Sequence, residues 1–412
     1  MLKERIRIKR MKQTQADKVQ EITEQLEQGI KDLFESQKYA DYLKTMSKLH
    51  NYSFNNSLLI AMQKPNATMV AGYTSWKVNF HRNVMKGEKG IRILAPSPYK
   101  ISKDVEKIDP KTKQPMIGKD GEPIRERIQV TIPAYRVTTV FDVSQTQGKP
   151  IPEIATVLTD DVKDYKYFLN AIKEISPVPI EMREINSGAN GYYHLEDKII
   201  AIKEGMSQAQ TLKTAIHELS HAKLHDKDVG LEKDKQLDKR TKEVQAESVA
   251  YTVCCHYGLD TSDYSFGYIA EWSSNKELDE LKKSMDIIRS TASEIIKDID
   301  ITLIRIEQEE RIENLALEIG EFIKDYDYYE YMDVVDDAEK LIEDIKADIQ
   351  SGNIEYLQKW FISIGEEKGA VDMCEQAREI AEQLNDYLKE EPVSRTKAVE
   401  TKDVVKHRHR SH

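Results

Sequence analysis

His217 and His221 stand four residues apart in the run Thr214-Ala-Ile-His217-Glu218-Leu-Ser-His221-Ala-Lys-Leu-His225. On an α-helix that spacing places both imidazoles on one face, one turn apart. Two nitrogens so placed can share one zinc ion, with Glu218 beside them to act as catalytic general base. Leu212, Ile216 and Leu219 give the same helix an apolar stripe, so it can bury itself while presenting the histidines. A site of this type needs a third protein ligand, usually from the following helix. The segment Lys242-Glu243-Val-Gln-Ala246-Glu247-Ser-Val-Ala-Tyr251 supplies two candidates, again at i,i+4. One can bind the metal while the other orients a ligand histidine through its second ring nitrogen. Glu243 is the expected ligand and Glu247 the orienting group, although the reverse assignment also satisfies the spacing.

Other residues nearby have expected roles of lower specificity. His225, one turn beyond His221, reads as a packing or loop-anchoring histidine. Lys198–Ile202 reads as a short edge strand over the cleft, to which an extended peptide could add by backbone pairing. Tyr192, Tyr193 and Tyr251 are candidate donors to a tetrahedral oxyanion, though each is also explained by packing. Cys254 and Cys255 read as core residues of the returning helix. The alternative for the whole cluster is a buried His/Glu network without metal.

Charge divides the chain. Residues 1–150 carry 27 Lys and Arg against 16 Asp and Glu, and the rest carries 34 against 56, within a net charge of −11. A cationic first domain is the footprint of a nucleic-acid partner, which the overall balance conceals. Tyr52, Tyr73 and Trp76 are interleaved there with Lys77, Arg82, Lys86, Lys89 and Arg92. Stacking bases on aromatic faces while cations follow the phosphates suits sequence-tolerant binding of single strands. Lys86-Gly87-Glu88-Lys89-Gly90 is a candidate phosphate-contacting turn.

The expected fold class is α+β. A basic tail, 1–12, precedes a mixed α/β domain, 13–150, with strands at Thr68–Val70, Ile91–Leu94 and Ile128 to Phe141. Lys103–Glu126 is expected to form a long, turn-rich, mobile hairpin. A zincin-like domain, 151–297, has a short sheet and the His217–His221 helix. An acidic α-helical extension, 298–390, leads to a disordered tail, 391–412. No apolar run approaches the roughly 20 residues of a membrane span, and the basic start leads into no apolar leader region. Three cysteines without a CxxC pair suit a reduced, cytoplasmic protein.

The runs Tyr52-Ser-Phe-Asn-Asn56-Ser-Leu-Leu-Ile-Ala-Met-Gln63, Ala71-Gly72-Tyr73-Thr-Ser-Trp76-Lys77, Lys86-Gly87-Glu88-Lys89-Gly90 and Val140-Phe141-Asp142-Val-Ser-Gln145 resemble the N-terminal domain of the ArdC antirestriction family. Gly191-Tyr-Tyr193 through His225, with Glu243–Leu259, resembles that family's metallopeptidase-like domain and, more distantly, the zinc peptidases of the ImmA/IrrE group. The resemblance spans about residues 15–275. It implies a zinc-dependent antirestriction protein of a mobile element that binds single-stranded DNA and carries a metallopeptidase-type domain. Two other functions stay open. One is a regulatory peptidase that cleaves a repressor, and the other a non-catalytic DNA-binding protein with structural zinc. The resemblance does not extend to the Lys103–Glu126 excursion or to the acidic helices, where a solvated bundle face or docking module is expected over a DNA mimic. The peptide substrate, the DNA preference and the oligomeric state have no sequence signature.

Overall fold

A computed structural model describes residues 15–389 apart from 111–112, 119–120, 152–161, 227–236, 263, 265, 331–337 and 367–370. The basic N-terminal tail, the C-terminal tail and most of the charged connector after His225 lie outside these residues. The chain forms two compact units, Met1–Lys297 and Asp298–His412. The fold class is α+β, and among the described residues no helix is long and apolar enough to cross a membrane.

In the first unit, α1 (Gln15–Leu33) buries Ile22, Leu26, Ile30 and Leu33, the face marked out by their spacing of three and four. Next come α2 (Ser36–Lys48) and α3 (Phe54–Gln63), the latter started by Ser53, whose side chain accepts from the Asn56 amide. The strands β1 (Val70–Gly72), β3 (Ile91–Pro96) and β6 (Tyr135–Asp142) form an antiparallel sheet in the order β1-β6-β3. Its inner face meets Leu49, Ile60 and Ala67 through Val70, Ile91, Ile93 and Val140. The short helix α4 (Tyr73–Val78) follows β1, and β2 (Arg82–Val84) pairs with β7 (Thr146–Gly148). The β-branched run expected as one strand is two, because Pro133-Ala134 separates β5 (Arg125–Ile132) from β6. The hairpin extends beyond the expected Lys103–Glu126 at both ends, because β4 (Tyr99–Glu106) and β5 pair in register over eight residues each.

The second half of this unit opens with α5 (Val162–Ile175). A mixed sheet follows, in which β10 (Ile199–Lys203) lies between β8 (Ile180–Arg183), parallel to it, and β9 (Gly191–His194), antiparallel. The expected edge strand is therefore the central one, as the full burial of Ile200, Ala201 and Ile202 requires, and β8 and β9 are the edges. Then come α6 (Gln208–His225), α7 (Lys239–His256), α8 (Ile269–Ser273) and the start of α9 (Leu278–Glu330). The two halves share a core. Tyr39 of α2 hydrogen-bonds Ser248 of α7 at 2.8 Å, and His256 Nδ1 lies 2.9 Å from the Ser47 carbonyl.

That junction carries a pH liability. His50 is buried, with its ring centroid 5.1 Å from that of His256. Burial, then the positive potential of His256, Lys297 and Arg289, lowers its pKa from 6.5 to about 3. The unfolded chain therefore binds a proton that the folded chain refuses. The resulting loss of stability begins as pH falls below 6.5 and continues towards 3. Denaturant titrations across that window should show a contribution from this group approaching about 1.4 kcal/mol per pH unit. His50→Leu should flatten the slope, and an unchanged slope would count against the assignment.

In the second unit, the end of α9 packs with α10 (Ala338–Ser351), α11 (Glu355–Gly365) and α12 (Val371–Lys389). Ile319, Phe322, Ile349, Phe361, Ile380 and Leu384 form an apolar core of its own. Residues 311–388 carry 7 basic and 21 acidic residues, so this core is surrounded by a strongly anionic surface.

Candidate metal centre

The helix α6 begins where Ser207 accepts a hydrogen bond from the Gln210 amide, and its apolar face, with Leu212, Ile216 and Leu219, is fully or almost fully buried. Burying that face leaves His217 and His221 one turn apart towards α7, their rings meeting edge to face. The helix α7 starts at Asp238, whose carboxylate accepts from the amide and hydroxyl of Thr241. This start sets the turn on which Glu243 meets the histidines. His217 Nε2 and His221 Nε2 lie 3.2 Å apart, and Glu243 Oε2 is 3.8 and 3.6 Å from them. Donors held about 2.0–2.2 Å from one ion at tetrahedral angles are separated by roughly 3.4 Å, so the triangle fits a single divalent cation. Among the described residues, these three are the cluster that could hold a metal. Burial, reinforced by His221, lowers His217 to about 4, so that ring is neutral, as a donor must be. The His221 ring, 3.6 Å away, holds Glu243 below the usual carboxylate range against the opposing effect of its burial.

Glu218 is buried beside the triangle without belonging to it. Its burial raises its pKa, countered by His221 and by a hydrogen bond from the Tyr193 backbone amide. A cavity of about 270 Å³ reaches the cluster at His217 and is lined also by Gly191 of β9, Thr214, Glu218, Glu247 and Tyr264. Gly191 is there for close approach, since a Cβ at this position would lie 2.6 Å from Thr214 Cγ2 and 2.9 Å from the Ala201 carbonyl. Gly191→Val is expected to destabilise the protein by about 1–3 kcal/mol, the usual cost of overpacking. Thermal denaturation would check this against Gly72→Ala, where nothing lies within 4 Å.

Several expected roles are corrected. Glu247 does not orient a ligand histidine: one turn beyond Glu243, it meets Tyr268, whose hydroxyl donates to it. Its burial, with the charge of Glu243, raises it to about 7. The side chain beside His221 is His225, whose Nδ1 lies 3.1 Å from His221 Nδ1. Tyr193 is not a free oxyanion donor, because its hydroxyl is committed to the buried Asp226, which Lys198 also contacts at 2.5 Å. Tyr251 is buried with its ring against Tyr264 and Phe266 and does not line the cavity. Tyr192 is exposed on β9, its hydroxyl paired with Arg183. Tyr264 and Tyr268, which sequence reasoning passed over, are the tyrosines at the cavity and at Glu247. Cys254 is a core residue, as expected, and Cys255 is half-buried.

The cationic set in the first 150 residues divides in the same way. Trp76 is fully buried, with Nε1 donating to the Phe141 carbonyl, so no base can stack on it. Tyr52 packs on the core of the first sheet and donates to the Val70 carbonyl. Arg82 braces β7 through Thr146, and Arg92 pairs with Glu21 at 3.0 Å. Tyr73, Lys77, Lys86 and Lys89 are exposed, and Gly87 turns the Lys86–Lys89 loop at φ +93°.

Residues 11–141 match the N-terminal domain of the anti-restriction factor ArdC, and residues 178–259 match the IrrE N-terminal-like domain, a peptidase family. The second half of the first unit is thus metallopeptidase-like, and its matched range includes all three metal donors and Glu218. The first unit joins an ArdC-like N-terminal half to an IrrE-like second half. An uncharacterized protein of Bacillus anthracis is 31% identical over 294 residues, which make up 64% of this chain and 48% of that protein. The chain therefore spans about half the length of that curated relative. Crystal structures of a plasmid-borne antirestriction ArdC protein are also similar. The metal-free form is 21% identical, covering 62% of this chain and 86% of that one, with a TM-score of 0.38. The Mn(II)-bound form is 18% identical, covering 63% and 91%, also at 0.38.

Proposed function

We propose that this chain is an antirestriction protein that binds single-stranded DNA through its N-terminal half and carries a zinc-dependent hydrolytic centre at His217, His221 and Glu243. The observation that carries the reading is the three-donor triangle beside a buried carboxylate outside it, in a range that matches a peptidase family. Two imidazoles and one carboxylate suit zinc, and three protein donors leave the open position of a catalytic rather than a structural site. A divalent ion held there would acidify a water and polarise a carbonyl oxygen. Glu218 would take the proton from the attacking water and return it to the leaving amine. The edge strand β9, with Gly191 at the cavity, would pair with an extended peptide and bring its carbonyl over the donors. That open edge favours a second reading, a regulatory peptidase whose DNA binding only positions it. Metal analysis of the purified protein, paired with cleavage of extended peptides, tests the centre.

The DNA reading rests on Tyr73, Lys77, Lys86 and Lys89, the members of the cationic set that face solvent. In the full chain, Lys86→Ala with Lys89→Ala should weaken oligonucleotide binding and reduce the salt slope by about 1.4, near 0.7 per lost phosphate contact. Tyr73→Ala should cost about 1–3 kcal/mol at every sequence, as lost stacking does. Anisotropy titrations at several salt concentrations check both, and unchanged slopes would remove the assignment. Trp76→Ala is expected to destabilise the fold and is no probe of binding.

A further inference from the structure

Which nitrogen a histidine offers to a metal is decided by the hydrogen bond its other nitrogen makes. For His221 that decision passes through three further side chains. His221 Nδ1 lies 3.1 Å from His225 Nδ1, and His225 Nε2 lies 2.9 Å from Gln245 Oε1. Gln245 Nε2 in turn donates to Ser284 Oγ at 3.1 Å. Gln245 and Ser284 are buried at 1% and 5% exposure, so water does not stand in for these partners. We infer that His225 and Gln245 are positioning residues that hold His221 as its Nδ1–H tautomer and leave Nε2 bare for the metal. This rests on the reading of His217, His221 and Glu243 as a metal centre.

The donors follow from one another. With its amide nitrogen turned to Ser284, Gln245 presents only an oxygen to His225, so His225 Nε2 must carry the proton. A neutral imidazole with Nε2–H has a bare Nδ1, which accepts from His221 Nδ1–H. His221 Nε2 then has no proton, and it is the nitrogen 3.2 Å from His217 Nε2 and 3.6 Å from Glu243. Turning the Gln245 amide over would invert each donor and place a proton on the nitrogen that faces the metal position. The relay thus has two complete states, of which one binds metal. Its two histidines, His221 and His225, share one helix face with His217, and its outer half is supplied by α7 and α9.

The test begins without metal. In full-length, chelator-treated protein labelled with ¹⁵N-histidine, at a pH where the rings are neutral, long-range ¹H–¹⁵N correlation reads the proton on each ring nitrogen. His221 should be the Nδ1–H and His225 the Nε2–H tautomer; the opposite pair would overturn the inference. Zinc affinity, measured by chelator competition, is the second arm. His225→Leu and Gln245→Met should each weaken zinc by about 10–100-fold, the usual cost of losing a partner behind a ligand. Gln245→Glu, which still accepts from His225, should stay within a few-fold of the parent. The double variant should be no weaker than the worse single one, because both break one chain. Melting of the metal-free variants separates misfolding from loss of positioning, and the Met/Glu contrast at Gln245 stands if His225→Leu fails to fold. If the parent binds zinc and both variants bind it equally well, the positioning role is refuted. If the parent takes up no zinc, the metal centre fails instead, while the tautomers still decide the wiring.

Discussion

Glu218→Gln is expected to keep the metal and the fold while lowering peptide hydrolysis by about 10²–10⁴-fold, the range a general base contributes. The carboxylate is absent from the donor triangle, so exchanging it for an amide of the same shape removes no ligand. It does remove the group able to take a proton from water in the cavity, where burial already raises Glu218 above an ordinary glutamate. Metal content and hydrolysis of an extended peptide, measured on one preparation, check the two halves of the expectation. The same variant separates the two functional readings. Protection of DNA should survive it, because the exposed Tyr73, Lys77, Lys86 and Lys89 offer a coating mechanism that needs no cleavage. Loss of protection with metal content and DNA affinity unchanged would make the protection proteolytic.

The three-residue cluster was legible in the sequence because a helix converts spacing into a face. His217, His221 and Glu243 needed only the 3.6-residue period and a helix pair to be brought together. What stayed illegible depends on neighbours distant in sequence. His225 stands at i+4 from His221 and was open to the same periodicity. Gln245 and Ser284, which continue its hydrogen bonds, come from α7 and α9 and had no local signature, and Glu247 is the expected orienting group in their place. The central position of β10 had the same cause, since strand order is a property of the sheet and Lys198–Ile202 is apolar in either position. Trp76 shows a third limit. An indole followed by a lysine reads alike whether its ring faces solvent or core, and the burial of Trp76 with the pairing of Nε1 to the Phe141 carbonyl decides between them. The α+β class, the helical acidic region and the division of charge were readable because composition and periodicity are summed over many residues.

His221→Ala is expected to abolish stable metal binding, the largest single effect foreseen for this chain. Its Nε2 is the vertex nearest both other donors, at 3.2 Å from His217 Nε2 and 3.6 Å from Glu243 Oε2. Without it, two donors remain on different helices, and the proton relay from His225 ends at an empty position. Glu243→Ala should also weaken binding by more than the roughly 10–100-fold that loss of an orienting partner costs, because it removes the one carboxylate oxygen of the triangle. Glu247→Ala should cost far less. That carboxylate is engaged by Tyr268, and its removal also relieves repulsion of Glu243. Melting with and without chelator checks the ranking independently of activity. A ligand bound only by the folded state stabilises it by about 2.7 kcal/mol at a hundred times its Kd. The parent and Glu247→Ala should therefore lose stability on chelation, whereas His221→Ala should melt identically in both conditions. A chelator response in His221→Ala equal to the parent's would remove the metal centre from this site, and a response abolished by Glu247→Ala alone would transfer the third ligand to Glu247.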